Sequence, residues 1–247
     1  MVQLPFADRL EAGRLLADQL SFHKIPGDAV ILALPRGGVP VGFEIAEKLE
    51  APLDVVLVRK IGHPMSPELA IGAIADGEKL EQVIDEESVA EFGVPQAYIK
   101  EEIGRQKREI EKRRQLYFKD RSPVDIRHHT AIVVDDGIAT GATMRAALRA
   151  VRRREPEKLV LAVPVAPPST LESLRPEVDE IVCLETPEDL GAVGLFYADF
   201  RPVEDTVVVD LLRRAAEARA HAPHPPPSAS AAEIQADHGP RPPVTRS

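Results

Sequence analysis

Apolar residues recur along this chain in short unbroken runs, and most runs close on a Gly-, Asp- or Pro-bearing turn that leads into a stretch of helical spacing. Residues 30–34, 53–59, 69–75, 132–134, 158–165 and 180–185 read as strands, because uninterrupted apolar runs suit strands buried on both faces. Between them, residues 8–20, 39–50, 95–118, 142–154 and 169–174 carry apolar positions at helical spacing, and 205–220 adds a last helix. In the first helix Leu10, Ala12, Leu15, Leu16 and Leu20 share one broad face, Asp8 is placed to cap it, and its charges read as a solvated face. The long helix over 95–118 has a narrow stripe of Ile99, Ile103, Ile110 and Tyr117, its Lys, Arg and Glu residues facing solvent. Residues 83–94 read as a charged linker. Strands alternating with helices predict an α/β fold with a parallel sheet covered on both sides.

Residues 132–144 concentrate the candidate chemistry. The strand ends in Asp135 and Asp136, and Gly137, Ala139, Thr140, Gly141, Ala142 and Thr143 follow as a loop that runs directly into a helix. Open α/β sheets bind ligands at the carboxyl ends of their strands. Glycines let the loop turn and let a ligand approach the backbone. The first turn of the helix offers unpaired N–H groups and the positive end of a dipole, which favour a phosphate. Acceptors for sugar hydroxyls or a hydrated metal therefore lie beside a phosphate pocket, a combination that suits a ribose 5-phosphate. Two aspartates alone would be an ordinary turn; the ordered segment is more specific. A second strand–loop–helix unit has Pro35-Arg36-Gly37-Gly38 at its turn, without the spacing of a dinucleotide fingerprint or a P-loop.

The segment resembles the phosphoribosyl-diphosphate-binding motif of the type I phosphoribosyltransferases: a hydrophobic strand, two acidic residues, two small or apolar residues and Thr-Gly-x-Thr. The resemblance spans roughly residues 5–215. It implies a phosphoribosyltransferase-type parallel β-sheet flanked by helices, with a small hood and a flexible lid loop. By the same resemblance Asp135 and Asp136 hold the ribose hydroxyls and take part in binding Mg²⁺. Residues 139–143 wrap the 5′-phosphate, while Arg36, Gly37 and Gly38 contact the diphosphate. Lys60, with Arg59 beside it, ends a cationic strand next to the lid, where His63 and Glu68 could assist proton transfer. The hood would fall at 186–210, with Tyr197, Asp199 and Phe200 against the acceptor; packing on the last helix is the alternative for these aromatics. The implied activity is Mg²⁺-dependent transfer of a 5-phosphoribosyl group from phosphoribosyl diphosphate to a nitrogenous acceptor, a nucleobase by analogy, with diphosphate released. A regulator that senses the same ligand and a hydrolase using water as acceptor are the alternatives. A homodimer is expected by analogy.

Composition narrows this picture. The formal net charge of −9 leaves no basic surplus to neutralise nucleic-acid phosphates. One cysteine, Cys183, excludes an internal disulfide, and its apolar neighbours suggest a core role. No run is apolar enough to span a bilayer, and the start lacks the pattern of a signal peptide, so a cytoplasmic protein is expected. Residues 1–217 are expected to form the domain. Residues 218–247, rich in Pro, Ala and Ser, are expected to be a disordered tail.

Overall fold

The computed structural model describes residues 4–23, 28–76, 81–119 and 122–221, except the side chains of Pro67, Glu68 and His221. Its centre is a five-stranded sheet of β1 (Val30–Ala33), β2 (Leu53–Val55), β6 (Thr130–Val134), β7 (Lys158–Val165) and β8 (Glu180–Glu185), ordered β2-β1-β6-β7-β8. Every pairing in it is parallel. The chain leaves β1 toward β2 on one side, whereas β6 continues to β7 and β8 on the other. The strand order therefore reverses between β1 and β6, and at such a switch point the two outgoing loops diverge and open a crevice.

Successive strand residues alternate between two cores. Ile31, Ala33, Ile132 and Val134 face α1 (Arg9–Phe22), α2 (Gly38–Leu49) and α7 (Asp205–His221), as do Val160 and Ala162. Val30, Leu32, Ala131 and Val133 face α5 (Ala142–Arg152) and α6 (Pro168–Leu174) through Met144, Leu148, Leu171 and Leu174. Both faces are covered, which is why these strands are apolar throughout rather than alternating. Helix α1 meets α2 at Gly13, where a Cβ would lie 2.8 Å from the Val41 carbonyl oxygen. No helix among the described residues is long and apolar enough to cross a membrane.

The region read as one strand over 53–59 divides. After β2, the chain crosses to a separate antiparallel sheet of β3 (Val58–His63), β4 (Ser66–Ala75) and β5 (Glu81–Ile84). The passage expected to be an open lid loop is the tip of the β3–β4 hairpin, with Pro64 and Met65 between the strands. The stretch expected as a linker over 83–94 holds the end of β5 and α3 (Glu86–Glu91), whose N-cap Asp85 accepts a hydrogen bond from the Ser88 amide. Its charges sit on a thin outer layer, so it lacks the apolar periodicity of a buried helix. Helix α4 (Gln96–Phe118) packs on this sheet and buries Ile99, Ile110 and Tyr117 of the expected stripe. It also buries Glu102 and Gln106, which join Arg59: Arg59 Nε donates to Gln106 Oε1 at 2.9 Å, and Gln106 Nε2 to Glu102 Oε1 at 2.6 Å.

Strand β8 lies at the sheet edge, so Cys183 is half-buried rather than central, and burial pushes its thiol up to about 11. Helix α7 continues past 217 to His221, and the expected tail from 222 on lies outside the described residues.

Helix α5 is held between the two sheets. Its second face carries Ala146 and Ala150, which pack against Ala73 and Ala75 of β4. Four small residues set that spacing, so Ala150→Leu should overpack it and destabilise the protein by about 1–3 kcal/mol. The check is the midpoint of urea unfolding, and an unchanged midpoint would mean that α5 does not bear on β4 as described.

Candidate active site at the switch point

Two loops meet at the carboxyl edge between β1 and β6. The Leu34 amide donates to the Val134 carbonyl at 2.8 Å and extends the strand pairing by one step. The chain then turns through Pro35-Arg36-Gly37-Gly38 into α2 on one face, and through Asp135–Gly141 into α5 on the other. Neither helix has a side-chain hydrogen bond at its N-cap, which is Gly37 for α2 and Gly141 for α5. Two helix N-termini thus open toward the same crevice, each suited to an anion.

Glycines are required here by contact. A Cβ on Gly37 would lie 2.0 Å from Asp136 Oδ2, and one on Gly38 would lie 2.7 Å from the Val134 oxygen. The two expected loops are therefore in touch, with the Asp136 carboxylate lying against the Gly37 backbone. Gly137 is hemmed in by the Val193 and Val165 side chains, and Gly141 takes a left-handed φ of 79°. Thr170 on α6 donates its hydroxyl to the Ala139 carbonyl at 2.7 Å and pins the start of the Thr140–Thr143 loop. Ala139 and Thr140 are exposed, and Ala142 and Thr143 half-buried.

The acidic pair is unequal. Asp135 Oδ1 accepts from the Asp136 amide at 2.9 Å. Burial, reinforced by the neighbouring Asp136 carboxylate, holds the Asp135 carboxyl well above the usual range. Asp136 has a cation: Arg9 Nε donates to its Oδ2 at 2.7 Å, with both side chains largely buried. Arg9 lies on the α1 face that appeared merely solvated. Its guanidinium sits 3.8 Å from the Phe200 ring centroid, and it donates to the Arg201 carbonyl at 2.9 Å. Nothing local in the sequence marks this contact, since Arg9 and Asp136 are 127 residues apart.

The segment expected as the hood reaches the backbone of the same residue. A 3-10 turn over Val193–Phe196 leads to Tyr197, whose hydroxyl donates to the Asp136 carbonyl at 2.6 Å. Tyr197 is buried, its ring 5.3 Å from Phe6 and 5.0 Å from Phe200. An acceptor stacked on Tyr197 would have to displace one of them, so its ring braces the hood instead of presenting an open face. Phe200 is partly exposed but has Arg9 over it. Asp199 pairs with Arg201, which holds its carboxyl down at about 2.

The remaining expected residues are spread more widely. Arg36 lies 4.0 Å from Asp205 at the start of α7, and Asp205 also accepts the Tyr117 hydroxyl from α4. Lys60 pairs in register with Ala73, on the hairpin face that packs on α5, while Arg59 is committed to Gln106 on α4. His63 accepts the Met65 amide at 3.2 Å and packs edge-on to Phe92, a turn-stabilising arrangement. The Glu68 side chain lies outside the described residues. Among the described residues, no group of three or more His, Cys, Asp or Glu side chains is placed to hold a metal. A cation here would draw on the hard oxygens of Asp135 and Asp136 and on oxygens of a bound ligand, which suits Mg²⁺.

A parallel sheet flanked by helices, with an acidic pair and two helix N-termini at its switch point, defines an α/β protein of the open-sheet class. The family profile of the phosphoribosyl transferase domain matches residues 8–200, and the chain belongs to that family. It is 41% identical over 242 residues to two curated relatives from Mycobacterium tuberculosis strains that are provisionally named phosphoribosyl transferases. That match takes in 96% of this chain but 54% of theirs, so the chain spans about half the length of those relatives. The crystal structure of the protein TT1426 from Thermus thermophilus superposes with a TM-score of 0.72 at 40% identity, covering 85% of this chain and 99% of that one.

The raised Asp135 carboxyl links stability to pH. A carboxyl raised in the folded state favours folding while protonated, and its deprotonation costs stability as pH rises from about 3.9, the unfolded value, through the folded one. Asp135→Asn should therefore unfold at a higher temperature than the parent at neutral pH and lose that part of the pH slope. A calorimetric scan from pH 4 to 8 checks this, and a lower midpoint for the variant at pH 7 would contradict the assigned direction.

Proposed function

We propose that this chain transfers a 5-phosphoribosyl group from phosphoribosyl diphosphate to a nitrogenous acceptor, with a nucleobase as the first class to test. The observation that carries the reading is the contact between the Gly37–Gly38 turn and the Asp135–Asp136 pair. It supports a ligand with a sugar at the pair, a phosphate monoester at the α5 N-terminus and a diphosphate at the α2 N-terminus.

As the bond between C1 and the diphosphate oxygen breaks, positive charge grows on the sugar and negative charge on the leaving group. The Asp136 carboxylate, on the ribose side, favours the first change. The N-terminus of α2 and the Arg36 fork favour the second. The backbone of residues 139–143 fixes the 5′-phosphate, so that C1 is held in register between them. Mg²⁺, held by the diphosphate and by Asp135 and Asp136, would supply charge neutralisation at the leaving group. Lys60 is assigned as a further diphosphate contact. Asp199 and the open side of Phe200 are assigned to the acceptor, and Tyr197 assists by bracing Asp136.

The test is titration calorimetry of phosphoribosyl diphosphate with Mg²⁺, followed by a diphosphate-release screen across nucleobases. Binding with base-dependent release supports the transferase. Binding without release would replace it by a sensor of the same ligand, and release without any base by a hydrolase. Asp136→Asn retains an oxygen for Arg9 but loses the charge. It should weaken donor binding by about tenfold or more, the scale of one charge-assisted contact, with little change in the unfolding midpoint. Equal affinity in the two proteins would remove Asp136 from the ribose site.

A further inference from the structure

The polar core of the hood has a side chain that the proposed reaction does not use. Arg9 is the first residue of α1, immediately after the N-cap Asp8. Three groups fix its guanidinium: Asp136 Oδ2 at 2.7 Å, the Arg201 carbonyl at 2.9 Å and the Phe200 ring, 3.8 Å away. Its side chain is 11% exposed. The preceding residues are bound to the hood by backbone. The Phe6 amide donates to the Phe196 carbonyl at 2.8 Å, and the Ala198 amide to the Phe6 carbonyl at 2.7 Å. The Asp199 amide donates to the Ala7 carbonyl at 2.9 Å. The hood and the N-terminal segment therefore form one unit, joined to the acidic pair by Arg9 and by the Tyr197 hydroxyl.

We infer that Arg9 is a positioning residue for the ribose site: it holds the Asp136 carboxylate in place against the Gly37 turn and latches the hood over it. The inference rests on the reading that Asp136 receives the sugar of a phosphoribosyl ligand. The guanidinium suits this role for physical reasons. It is permanently charged and planar, so one face stacks on Phe200 while its edge donates to two oxygens. Asp136 Oδ2 lies on the side of Gly37 where a Cβ would be only 2.0 Å away, so the carboxylate has little space to turn. A fixed donor there leaves the pair one orientation in which to meet sugar hydroxyls. Lysine would keep the charge but lose the planar stacking and the fork of separate nitrogens that reaches both oxygens. The diphosphate loop has its own cation, Arg36, which leans toward Asp205 on α7 and is independent of the latch.

That separation defines the experiment. Calorimetry with Mg²⁺ present compares three probes, phosphoribosyl diphosphate, ribose 5-phosphate and inorganic diphosphate, on the full chain and on Arg9→Met and Phe200→Leu. The expected result is that Arg9→Met loses about tenfold or more in affinity for both sugar phosphates, the scale of one charge-assisted bond, and keeps its affinity for inorganic diphosphate. Phe200→Leu, which leaves every charge in place, should show a smaller loss with the same selectivity and tests the latch even if Arg9→Met does not fold. Unchanged sugar-phosphate binding in both variants would overturn the inference, as would an equal loss for all three probes, which marks a general structural effect. If the unaltered chain binds none of the probes, the ribose-site reading fails first, and the role of Arg9 falls with it.

Discussion

Two carboxylates on successive residues emerge where β1 and β6 part, and the architecture around them follows from keeping them there. Burial raises the cost of ionising Asp135, and the neighbouring Asp136 carboxylate adds to it. The fold places the Arg9 cation on the Asp136 carboxylate, and the Tyr197 hydroxyl braces the backbone there by donating to the Asp136 carbonyl. Both come from segments far from the motif, so closure of the hood and balancing of the pair are one structural event. The contact also explains the glycines on the facing loop. With the carboxylate fixed by Arg9, Gly37 has no room for a side chain.

Helix α5 links this electrostatic centre to the rest of the molecule. Its N-terminus faces the crevice, its Met144 and Leu148 face lies on the parallel sheet, and its Ala146 and Ala150 face lies on β4. Small residues allow the second sheet to approach closely, so the hairpin carrying Lys60 is placed relative to the loop at the start of α5 through packed alanines. Helix α4 clasps the other side of that hairpin through Arg59, Gln106 and Glu102. A hairpin held on both faces has its freedom at the tip, around Pro64 and the exposed Met65, which is far less chain than an open loop would provide.

What the sequence revealed divides along a physical line. The buried strands, their order of alternation with helices and the Asp135–Thr143 loop were legible because each signal is contiguous: an apolar run, a turn, an uncapped helix start. Arg9 was not, since an arginine on the first turn of an amphipathic helix looks solvated until the chain folds back on it. Tyr197 stayed open between a ligand platform and a packing role for the related reason that composition cannot separate the two, whereas the structure packs its ring against Phe6. The short sheet from β3 to β5 was partly hidden by its charges. Arg59 and Glu102 satisfy each other's surroundings through Gln106, a solution that residue spacing along one strand cannot express.

The loop that leads into α2 is supported from a distance in a similar way. Arg36 leans toward Asp205, and Asp205 is held in turn by the Tyr117 hydroxyl, whose own ionisation is pushed up by burial and by that carboxylate. Tyr117 belongs to α4 and Asp205 to α7, so the cation of the α2 loop is oriented by two helices distant from it in sequence. Each loop at the switch point thus has a polar side chain steered by distant elements, Asp136 by the N-terminal segment and hood, Arg36 by α4 and α7. Binding a ligand across both loops would tie these supports together.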